Sequence, residues 1–176
     1  ITFLIIIFTK STNPVAICIY AFFQGISLGG FTYFIEKAIE MQGLGILAAA
    51  LTFVILAAML TIYRAGLISW NRNLAIAVYS SIGAILFIYV VSFIGIFLGF
   101  EIPLIHGNGS VGIVFSLFVI GIGALCLVAD FDFIEKGVER GAPKQLEWRA
   151  AFGLMVTLIW LYIEILNLLA KLASRR

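Results

Sequence analysis

An all-α, polytopic transmembrane helical bundle is the expected fold, on three grounds. The chain is 63% hydrophobic and only 11% charged, with a mean hydropathy of +1.17. A water-soluble domain carries about 25% charged residues, so a soluble class is excluded. The apolar residues come in runs close to the ~20 that a helix needs to cross a bilayer core. Short polar stretches separate these runs, and in lipid the backbone of each run must satisfy itself as a helix. The expectation is one integral membrane domain over residues 1–176, with about six spans visible and the first of them partial.

Residues 1–8 are apolar, begin without Met and are too short to span. They are expected to be the end of a helix whose start lies upstream, making the chain N-terminally incomplete. Residues 9–13, with Lys10, form a polar turn, and Pro14 suits the first turn of the next helix. That helix is expected to reach Ile35, with Gln24 at its centre and a GxxxG pair at Gly25 and Gly29 for close approach by another helix. Glu36, Lys37 and Glu40 are expected in a loop. Residues 44–63 form the next span, and residues 64–73 a loop with Arg64, Trp70 and Arg72. Residues 74–100 form a long span with a second GxxxG at Gly95 and Gly99. A loop with Pro103 and the single His106 follows. Cys18 and Cys126 both fall in apolar runs and read as small core residues without a disulfide.

The last two spans carry the pattern that points to a function. In residues 153–173, Gly153, Thr157, Trp160, Glu164, Asn167 and Lys171 recur at alternating steps of four and three, so they share one helix face. Glu164 lies ~16 Å past Gly153, near half-depth of a ~30 Å core. A carboxylate there costs ~2.5 kcal/mol or more unless it faces protein or water. This helix is therefore expected at the centre of the bundle. Residues 111–133 show a matching stripe of Gly112, Ser116, Val119, Gly123, Cys126 and Asp130. Asp132 and Glu135 follow, and residues 136–149 read as the most charged loop.

Lys and Arg counts set the orientation. Lys10, Arg64, Arg72, Lys136, Arg140, Lys144 and Arg149 lie on one side, against Lys37, Lys171, Arg175 and Arg176 on the other. The richer side, with the Asp130 loop, is expected in the cytoplasm.

Asp130 and Glu164, on facing stripes, are the candidate ion pathway and pH sensor. Close carboxylates do not both ionise cheaply and tend to share a proton. Once deprotonated, they would offer oxygen ligands to a cation such as calcium. Asp132, Asn167 and Gln24 are supporting candidates. An enzyme is not expected: there is one His, no HExxH and no GxSxG. No cofactor is expected beyond a calcium ion. The partner expected from the residues is the lipid bilayer, not nucleic acid, since no basic cluster interleaves with aromatics.

LVADFDFIEKG (residues 127–137), WLYIEILNLL (160–169) and QGISLGGF (24–31) resemble the Bax-inhibitor family of multi-pass membrane proteins, in its bacterial branch. The resemblance runs from about Asn13 to Lys171. It implies seven helices with the last one central, in a bacterial plasma membrane. It also implies a pH-sensitive leak for cations, usually calcium, gated by an acidic pair that falls at Asp130 and Glu164. Two departures are visible: Glu164 stands where the family often has Asp, and the connection before it looks long. Bacterial relatives with this pattern also imply a non-conducting alternative, regulation of a membrane protease or of envelope stress. A proton-coupled carrier is the third reading.

Overall fold

The computed structural model describes residues 13–98 and 109–175. Five α-helices make up the described fold: α1 (Pro14–Ile39), α2 (Leu44–Arg64), α3 (Arg72–Leu98), α4 (Ser110–Glu139) and α5 (Gln145–Ala173). Each is long and apolar enough to cross a membrane, so the chain is a multi-pass helical bundle. The partial helix expected at residues 1–8, the turn with Lys10, and the segment with His106 lie outside the described residues.

The last helix is the interior one. From Phe152 to Lys171, α5 has no exposed side chain, and it packs against α4, α2 and α1. Its stripe residue Glu164 is only 5% exposed. The other helices turn large apolar side chains outward, among them Phe22, Phe34, Phe53, Phe87 and Phe93. In water such surface would be a liability; in a bilayer it is the lipid-facing wall.

α4 and α5 run antiparallel in a constant register. Asp130 lies against Gly153, Gly123 against Leu161, and Gly112 against Lys171. The contact is close where the sequence has its glycines. A Cβ on Gly123 would come within 2.8 Å of Leu161 Cδ2, which is why the small stripe on α4 is needed.

Several boundaries differ from expectation, with local causes. α1 does not stop at Ile35. Glu36 and Lys37 continue it to Ile39, and Glu40 ends it with φ 57°. Glu36 belongs to a corner: its Oε1 accepts from the N–H of Gly45 (2.8 Å) and of Gly43 (3.1 Å). It thereby satisfies the free donors at the start of α2. Nearby, Thr32 Oγ1 and Tyr162 Oη share a 2.6 Å hydrogen bond that ties α1 to α5. A Cβ on Gly45 would collide with the Thr32 methyl. Gly45→Ala is therefore expected to destabilise the protein by about 1–3 kcal/mol, read as a lower Tm in detergent. An unchanged Tm would mean that the corner yields freely.

The charged loop expected at residues 136–149 is mostly helix. α4 runs on to Glu139, held by the Lys136–Asp132 ion pair at 2.7 Å and by the hydrogen bond from Tyr63 to Glu135. Gly141, with φ +59°, turns the chain, and α5 begins at Gln145. The link is short, residues 140–144, not long. The Gly25 and Gly29 pair meets no helix: open space surrounds both positions among the described residues. Cys18 faces outward instead of joining a core.

Candidate functional site

Glu164 sits where four helices meet. α5 supplies Glu164, Asn167 and Lys171; α4 supplies Phe115 and Ser116; α3 supplies Tyr89; α1 closes the side with Ile35 and Ile39. Between them lies a cavity of about 400 Å³. Tyr89 Oη donates to Glu164 Oε1 at 2.6 Å, and Trp160 Nε1 donates to the same oxygen at 3.3 Å. The carboxyl group thus has two neutral donors and also lines the cavity. Lys171 Nζ donates to Ser116 Oγ at 2.9 Å and to Gly112 O at 3.2 Å. One carboxylate, one ammonium and neutral oxygens around a cavity in a largely apolar bundle form a place for a small polar species.

Asp130 is elsewhere. Its Oδ1 is the atom that a Cβ on Gly153 would meet, at 3.5 Å, and the Thr157 hydroxyl lies beside it. Its Oδ2 is buried without a hydrogen-bond partner among the described residues. Gly153, which marks Asp130's level, and Glu164 are eleven residues apart on α5, about 16 Å along the axis. The structure therefore does not bring Asp130 and Glu164 together, and they share no proton in it. Fully buried Leu161 and Leu127 fill the seam between the two levels.

Of the supporting candidates, Asn167 lines the cavity. Gln24 is half-buried near the middle of α1 and is not part of that lining. Asp132 points to another side of α4, paired with Lys136 and near Trp70. Among the described residues, no three His, Cys, Asp or Glu side chains converge as a metal-holding group.

A sequence profile described as Bax inhibitor 1 like matches residues 1–174. The chain belongs to that family. No curated protein and no solved structure matches it. In this Bax inhibitor 1 like chain, two site residues escape a reading of the sequence. Tyr89 is one; its signal is the face Val78, Ile85, Tyr89 and Ser92, spaced seven, four and three on α3. Lys171 is the other. It stands on the α5 stripe, but a lysine near a helix end ordinarily extends to water, so nothing marks it as bonded inward.

Proposed function

We propose that this Bax inhibitor 1 like protein is a passive, pH-sensitive cation leak in a bacterial plasma membrane, with Glu164 as its ion station. The observation that carries the reading is a 5% exposed carboxylate on a polar cavity inside a transmembrane bundle. An ionisable group at such a place is expensive and is a functional candidate by default. A cation would meet Glu164 in passing, with Asn167, Ser116 and Tyr89 as neutral oxygen neighbours. Protonation of Glu164 removes the only negative charge lining the cavity among the described residues, so cation attraction falls as pH falls. Leu161 and Leu127 close the seam in this structure, and conduction requires them to part. Asp130 is a second, separate station on the far side of that plug. Calcium is the ion that the family resemblance implies.

The test is ion flux from liposomes carrying the full-length protein, at several pH values. Flux above that of protein-free liposomes, rising with pH, is expected. A folded, reconstituted protein that passes no cation at any pH would sink the reading. Co-purification of a membrane protease without flux would then favour the regulator, and proton movement tied to a solute would favour the carrier.

A further inference from the structure

A cation approaching Glu164 from the C-terminal end of α5 must pass a positive charge that the chain itself supplies. Exposure falls in steps along that end: Ser174 is exposed, Lys171 half-buried, and Glu164 buried. All three line the same cavity. Lys171 lies seven residues beyond Glu164 on the same stripe, about 10 Å along the axis. Its ammonium turns back onto the bundle, where a lysine at a membrane-helix end ordinarily reaches straight out to water. It is held inward on α4 by Ser116 Oγ and Gly112 O. Among the described residues, Glu164 and Lys171 are the only charged groups lining the cavity.

We infer that Lys171 is a tethered counter-cation that tempers the ion preference of the Glu164 cavity, lowering the share of divalent over monovalent cations that the carboxylate alone would draw. This rests on the leak reading above. A lone carboxylate attracts a divalent ion with twice the energy of a monovalent one. A fixed ammonium opposes that attraction in the same proportion to the ion's charge, so the divalent ion loses more. At ~10 Å and an effective dielectric of ~20, the ammonium lowers occupancy roughly tenfold per unit of ion charge. The ratio of divalent to monovalent flux is therefore about tenfold lower than it would be without Lys171.

The experiment measures Ca²⁺ and K⁺ flux separately from liposomes of the full-length protein. Lys171→Met is expected to raise the Ca²⁺-to-K⁺ flux ratio about tenfold, and Lys171→Arg to keep the wild-type ratio. Lys171→Gln keeps a hydrogen-bond donor toward Ser116 and Gly112. It guards against a misfolded Met variant and is expected to shift the ratio as Met does. A wild-type ratio in conducting Met or Gln variants overturns the inference and leaves the leak reading standing. Absence of flux of either ion from every protein, wild type included, overturns the leak reading and this inference with it.

Discussion

Glu164→Gln is expected to lower cation flux by more than about tenfold at a pH where the wild type conducts, and to flatten its pH dependence. Glutamine has the same shape and can still accept from Tyr89 Oη, which lies 2.6 Å from Oε1. The bundle should therefore survive, and the charge alone is lost. A unit charge ~4 Å from a cation is worth ~4 kcal/mol at an effective dielectric of ~20. Even a third of that is about tenfold in occupancy. Asp130→Asn should act independently, because the two carboxyl groups sit on levels about 16 Å apart. The effects of the two substitutions on log flux should add. A double variant no worse than either single one would restore a coupled pair. A wild-type pH profile in Glu164→Gln would place the gate elsewhere.

Leu161→Ala is expected to be the most damaging single truncation in the seam. Leu161 is fully buried, packed with Leu127 and Phe131 and flanked by Leu154 and Leu158. On its other side it lies against Gly123, whose missing side chain leaves nothing to fill a gap. Truncation of such a leucine costs about 2–5 kcal/mol, seen as a lower Tm in detergent. Leu161 also stands between the Glu164 cavity and the Asp130 level, so the same variant should leak more at every pH. A stable variant with unchanged flux would show that the plug lies elsewhere.

The helices were legible because lipid imposes a simple rule, and apolar runs of the right length have one solution. The centrality of α5 was legible too, since the stripe from Gly153 to Lys171 leaves lipid no reason to face it. The exact spacing of the carboxyl groups was not. It depends on how far α4 and α5 continue past the membrane, and hydropathy is silent on charged helical turns. The Asp132–Lys136 pair and the Tyr63–Glu135 bond hold one extension, and the turn at Gly141 fixes the register. From Gly141, Asp130 is eleven residues back and Glu164 twenty-three forward. The two carboxyl groups therefore stand at different depths wherever the membrane boundary falls. Glu36 misled for a related reason: its charge suggested a loop, whereas its carboxylate serves the free N–H groups of the next helix.

The Glu36 corner makes the cavity lopsided in stiffness. Ile35 and Ile39 cannot retreat from Glu164 alone, because Glu36 binds that end of α1 to the head of α2 and Thr32 pins it to Tyr162. The opposite wall is held differently. Among the described helices α3 packs mainly on α4, and at the cavity it reaches α5 through the bond from Tyr89 to Glu164. The Tyr89 side of the chamber is thus latched by Glu164 itself, and a cation drawn to Glu164 would compete with Tyr89 for the oxygen that holds that wall in place.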